Sequence, residues 1–183
     1  MTFTFDTSLI FFTIYVISIT ALYLNKNKTQ ILLLNVFACT FAGIYLYING
    51  GLAGVIACTA AALGSIFQLT VERYFSHIPR SKYLLVKAVG CTVFATIGIL
   101  AVYKSFSDLY LVVAIVSCRS SEMLRRHDHL RMGYLFAELL WLLYAIDNSL
   151  ILFAIVHFMM SLMGTTVLLR DHLKKPATAA EGP

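Results

Sequence analysis

Four ionisable residues, Arg119, Glu122, Glu138 and His157, stand where an apolar chain has least reason to carry them. Arg119 and Glu122 are three apart, so a helix puts them on one face, where pairing lessens a cost of about 2.5 to 3.5 kcal/mol for an arginine at mid-bilayer. Two uses of that pair stay open. Either it lines a cytosolic vestibule that attracts an anionic or zwitterionic solute, or Arg119 reaches out to the headgroups with Glu122 neutralising it. Glu138 and His157 lie well inside their own apolar segments, where an ionisable group faces the bundle interior and takes a partner. As a functional pair they would hold a polar group of a substrate or pass a proton, because histidine titrates near neutral pH. As a structural pair they would be an inter-helix hydrogen bond worth about 0.6 to 2 kcal/mol. Asn35 reads as packing and Lys87, near the start of its segment, as a side chain that snorkels.

Other chemistry is poorly represented. Trp141 and Tyr144 lie toward a helix end, where an interfacial aromatic belt accounts for them. His127-Asp128-His129 has metal-binding residue types but no third spaced ligand, and reads as a solvated loop. Phosphate loop, nucleophile elbow and HExxH patterns are absent, so no catalytic residue, metal or cofactor is expected and the chain reads as a non-enzyme.

The elements that position these residues follow from composition. Of 183 residues, 60% are hydrophobic and 13% charged, with a mean hydropathy of +0.82, more apolar side chain than one water-soluble core can hide. The expectation is an integral membrane protein. Its formal charge of +5 is scattered at helix ends with no aromatic-interleaved patch, which argues against nucleic acid as a partner. Cys39, Cys58, Cys91 and Cys118 lack CxxC spacing and read as packed thiols.

A membrane helix needs roughly 20 apolar residues, and the polar breaks divide the chain into seven segments. The predicted helices are Thr7–Leu24, Gln30–Ile48, Leu52–Thr70, Tyr83–Tyr103, Leu109–Leu124, Arg131–Ile146 and Ser149–Leu169. Residues 1 to 6 lack the positive start of a signal peptide, so the first segment is kept. Leu52–Thr70 is rich in Ala and Gly, which let helix backbones approach closely, and is placed at the centre. Leu109 to Cys118 is too short to cross alone, so the fifth helix must extend to Leu124 and draw Arg119 and Glu122 into the membrane region. All of the 14 Lys and Arg residues except Lys104 fall on one side of this seven-helix arrangement. By the positive-inside rule the amino terminus lies outside and the carboxyl terminus in the cytosol. Residues 172–183 read as a disordered cytosolic tail.

Sliding the chain by 98 residues superposes Ile48-Asn49 on Ile146-Asp147 and Lys28 on Arg126. Residues 1–171 are thus expected to form one transmembrane domain, all-α, in which parallel three-helix units at 8–73 and 106–171 are joined by a linker helix at 83–103.

Arg131, Trp141-Leu142-Leu143-Tyr144, Ser149 and Leu169-Arg170-Asp171 resemble the carboxyl-terminal half of the YgjV-like family of small bacterial inner-membrane proteins. Lys26 to Gly54, with Gln30 and the Gly-Gly-Leu-Ala-Gly turn, follows the first half more loosely. The resemblance implies a bacterial inner membrane and a fold akin to SWEET, PQ-loop and nicotinamide-riboside carriers; it implies little about substrate. Gly64 departs from the family, which often carries arginine there, and so does Arg119, at a usually less charged position. Pro79, Pro176 and Pro183 all lie outside the helices, so no proline hinge is available.

The reading is therefore a carrier or facilitator for a small polar solute, with Arg119, Glu122, Glu138 and His157 as the substrate-binding residues. The alternative is a non-transporting interaction or assembly protein whose basic cytosolic loops hold a protein partner, a second copy or anionic lipid. A polar cavity between the units near mid-membrane would favour the carrier, and a dry, filled centre would count decisively against it.

Overall fold

Described in the computed structural model are residues 2–25, 27–123 and 127–173. They form seven helices and no strand: α1 Thr2–Leu24, α2 Lys28–Ile48, α3 Leu52–Tyr74, α4 Arg80–Ala101, α5 Asp108–Met123, α6 His127–Asp147 and α7 Ile151–Leu173. Three stretches, Thr29–Ile48, Leu52–Tyr74 and Arg80–Ala101, are long and apolar enough to cross a membrane. Shorter apolar stretches run over Thr7–Leu22 in α1 and Ile151–Thr166 in α7. Rows of exposed apolar side chains, such as Ile10, Phe37, Val89, Ile97 and Ile155, face outward, more than a water-exposed surface ordinarily carries.

Consecutive helices pack side by side and α3 also touches α5. The small residues of α3 explain that central place: Ala53, Gly54, Ala57, Ala60 and Gly64 are all buried. Several boundaries differ from expectation. Helix α3 runs on to Tyr74 and α4 starts at Arg80, so the connector between them is only 75–79. Charged side chains at a helix end reach water without breaking the backbone ladder, so polarity overstated the break. For the same reason α6 begins at His127, and the His127-Asp128-His129 triplet opens a helix instead of lying in a loop. Its side chains lie outside the described residues, as do those of Lys28 and Arg131 and residues Lys26, Arg125 and Arg126. Of the expected tail 172–183, His172 and Leu173 belong to α7 and the rest lies outside the described residues.

The α2–α3 and α6–α7 turns are built alike. Asn49 Nδ2 donates to Tyr45 O at 2.7 Å and Ser8 Oγ at 3.0 Å, while Asn148 Nδ2 donates to Tyr144 O at 2.9 Å and Ser107 Oγ at 3.2 Å. Each turn then places one residue at positive φ, Gly50 at 79° and Ser149 at 56°. Each closes with an N–H···O bond of 2.8 Å, Gly51 to Leu46 and Leu150 to Ala145. Ser8 and Ser107, Tyr45 and Tyr144, Asn49 and Asn148, and Gly50 and Ser149 are each 99 apart. The turns therefore match at 99, one residue away from the 98 expected, because long apolar runs superpose almost equally well at neighbouring offsets and only hydrogen bonding distinguishes them. Contacts between the halves are reciprocal at the same offset. Gly54 N donates to Tyr144 OH at 3.2 Å, and Tyr45 stacks on Phe153, 99 residues beyond Gly54, with ring centroids 6.0 Å apart.

Candidate functional site

Charge meets charge where α3, α4, α5 and α6 converge. The described residues of α5 run to Met123, with Arg119 and Glu122 close to that end. Arg119 points inward and is 8% exposed, which decides against its reaching the surface. Its Nη1 donates to Glu122 Oε1 at 2.5 Å. Lys87, 4% exposed, adds a bond of 2.8 Å from Nζ to Glu122 Oε2, so the snorkelling expected of Lys87 is corrected. It lies seven residues into α4, about 10 Å from the helix start. There a buried carboxylate is a nearer partner than water. Gly64 makes the passage, because a Cβ there would lie 3.2 Å from Lys87 Cε and 2.7 Å from Cys91 Sγ.

A relay of polar groups continues outward from this centre. Lys87 Nζ also donates to Gln68 Oε1 at 2.8 Å, Gln68 Nε2 donates to Glu72 Oε1 at 2.9 Å, and Tyr83 OH donates to the same oxygen at 2.8 Å. On the α6 side, Tyr134 OH donates to Glu122 Oε1 at 2.8 Å. The relay ends in an open hollow of about 380 Å³ at the α3–α4 connector, lined by Glu72, His77, Arg80 and Tyr83 among others. One donor stays unused: Arg119 Nε is buried with no partner.

Glu138 and His157 do meet. His157 Nδ1 is 2.6 Å from Glu138 Oε2. The imidazole stacks on Trp141 at 5.5 Å and 7°, and meets Phe153 edge-on at 4.5 Å, while its Nε2 is buried without a partner. Trp141 and Tyr144 are thereby corrected from an interfacial belt to internal packing. Tyr144 is 1% exposed and Trp141 packs against the core; an amphipathic ring suits a neighbouring helix with polar backbone as well as it suits headgroups. Replacing Glu138 and His157 by leucine, singly and together, is expected to give a coupling energy of about 0.6 to 2 kcal/mol in unfolding titrations. Additive losses would mean that the pair contributes nothing as a pair.

The structure thus brings the four expected residues together as two pairs, Arg119 with Glu122 and Glu138 with His157, and adds Lys87, Gln68, Glu72, Tyr83 and Tyr134 to the first. Asn35 keeps its packing role, donating to Ser65 Oγ at 2.8 Å. Toward the turns at 49–51 and 148–150, Tyr15, Tyr45 and Phe153 stack against one another. Aromatic rings, and not a polar cavity, fill that space between the two halves. Among the described residues no three His, Cys, Asp or Glu side chains are grouped to hold a metal. Searches against protein-family models, curated proteins and solved structures find no match to the chain.

Proposed function

We propose that this chain is a multi-pass carrier or facilitator for a small polar solute. The observation that carries the reading is the asymmetry of the interior. A buried polar relay leads from the hollow at the α3–α4 connector to Arg119, Glu122 and Lys87, and stacked rings of Tyr15, Tyr45 and Phe153 stop the path beyond. A route open to polar groups at one end and closed by apolar rings at the other is what one arrangement of an alternating-access protein requires. His157, in contact with Phe153, lies at the boundary between the two zones. The filled aromatic zone is the finding that opposes this reading, and a carrier has to part Tyr15, Tyr45 and Phe153 in a second arrangement. Without a membrane-helix proline to act as hinge, opening relies on the halves moving as units about their reciprocal contacts.

Uptake into proteoliposomes tests this. Concentrative or facilitated entry of a member of an amino-acid, sugar, carboxylate and nucleoside panel is the expected result, reduced at least tenfold by Lys87→Met. Folded protein that moves none of the panel counts against the reading.

Seven spans are part of the proposal, with the amino terminus outside, the α3–α4 connector in the cytosol and the bacterial inner membrane as location. Supporting it are the charge asymmetry and the resemblance to the YgjV-like family, both read from residues alone. Reporter fusions at Asn49 and at Ser76 should report opposite sides, and a shared side would refute the topology. We also propose that 8–73 and 106–171 are repeats, on the strength of the matching turns. Asn49→Ala and Asn148→Ala should each cost about 0.5 to 1.5 kcal/mol; a loss confined to one turn would show that the two do not play equal parts.

A further inference from the structure

A purely structural ion cluster in a dry interior would balance its charges and satisfy its donors, because an unpaired buried charge is heavily penalised. Among the described residues this one leaves a donor over. Lys87 and Arg119 share one carboxylate, Glu122, while Gln68 and Tyr83 engage Glu72 one step further out. Arg119 Nε is buried without a partner.

The carboxylate that is present shows what the remaining groups are built to hold. Donors from three helices converge on it: Lys87 Nζ from α4 on Oε2, and Arg119 Nη1 from α5 and Tyr134 OH from α6 on Oε1. Charge-assisted bonds from a point cation and a planar fork to the two oxygens of one carboxylate are a recognition geometry for small anions. Glu122 is also the member most able to leave. It lies in the last turn of α5, and its side chain is 14% exposed against 2% for that of Lys87. Release would free a space of carboxylate size between cations already in place.

We propose that Lys87 and Arg119 form the binding site of a small monocarboxylate solute, and that Glu122 is a tethered stand-in whose place the solute's own carboxylate takes. The proposal rests on the carrier reading for its purpose but not for its test. The relay from the connector hollow supplies the approach, and Arg119 Nε supplies the donor that the stand-in does not reach.

The full chain, purified in detergent, is titrated at constant ionic strength with sodium glycolate, L-alanine, D-ribose, choline chloride or sodium chloride. The thermal midpoint and the emission of the single tryptophan, Trp141, are followed. Glycolate is expected to raise the midpoint saturably and change the emission, with ribose, choline and chloride inert. Glu122→Gln, which removes the competitor, is expected to bind glycolate at least tenfold more tightly. Arg119→Gln is expected to bind it at least tenfold more weakly. Folded Glu122→Gln with unchanged or weaker glycolate binding overturns the stand-in. Equal responses to L-alanine, whose ammonium would face two cations, or to ribose or chloride overturn the monocarboxylate class. Should a variant not fold, the wild-type ranking of glycolate over ribose and alanine still decides. Glycolate binding without uptake of any monocarboxylate in proteoliposomes would overturn the carrier reading and leave the site standing. Uptake of a neutral solute with no glycolate binding would do the reverse.

Discussion

Glu122→Gln, with no added anion, is expected to be among the most destabilising single substitutions in the bundle, costing about 3 to 5 kcal/mol. The amide leaves Lys87 and Arg119 buried, close together and without a counter-charge. Lys87→Met should cost less, because Glu122 retains Arg119 and Tyr134. Unfolding titrations in mixed detergent provide the comparison. A loss below about 1 kcal/mol for Glu122→Gln would mean that water reaches the cations and that the cluster is not a dry one. The same variant is the one expected to bind glycolate more tightly. Instability without anion and recovery with it are therefore two readings of one vacated position.

Gly133→Ala is expected to force α5 and α6 apart. A Cβ at Gly133 would overlap the Cβ of Ser121, which is 4% exposed, and crowd Ser117 O at 3.2 Å. The obstacle is a side-chain root and backbone, neither of which can rotate away. Overpacking of this kind costs about 1 to 3 kcal/mol. Ser121→Gly removes the opposing carbon and should restore most of the loss in the double variant. An equal loss with and without Ser121→Gly would place the cause elsewhere. Tyr134 follows Gly133 directly, so the displaced helix should also lose the Tyr134–Glu122 bond, and Tyr134→Phe should then cost little further.

Which of these features could be read from the residues depends on whether they are local. The i,i+3 spacing of Arg119 and Glu122 determines their shared face before any packing is known, and the structure pairs them. Small residues spaced along α3 likewise announced a helix with close neighbours. Glu138 and His157 were legible as groups in need of partners, though their meeting depends on how α6 and α7 rotate about their axes. Lys87 was not legible as an internal residue. One lysine two turns into a helix can snorkel or turn inward, and the outcome was decided by two distant features: Gly64, which clears its stem, and Glu122 of α5, which lies within reach. Trp141 and Tyr144 failed for a related reason, since an amphipathic ring near a helix end has the same sequence signature against lipid or a neighbouring helix. The 99-residue spacing of the two turns was not legible because the groups that make it, Ser8 with Asn49 and Ser107 with Asn148, are far apart in the chain.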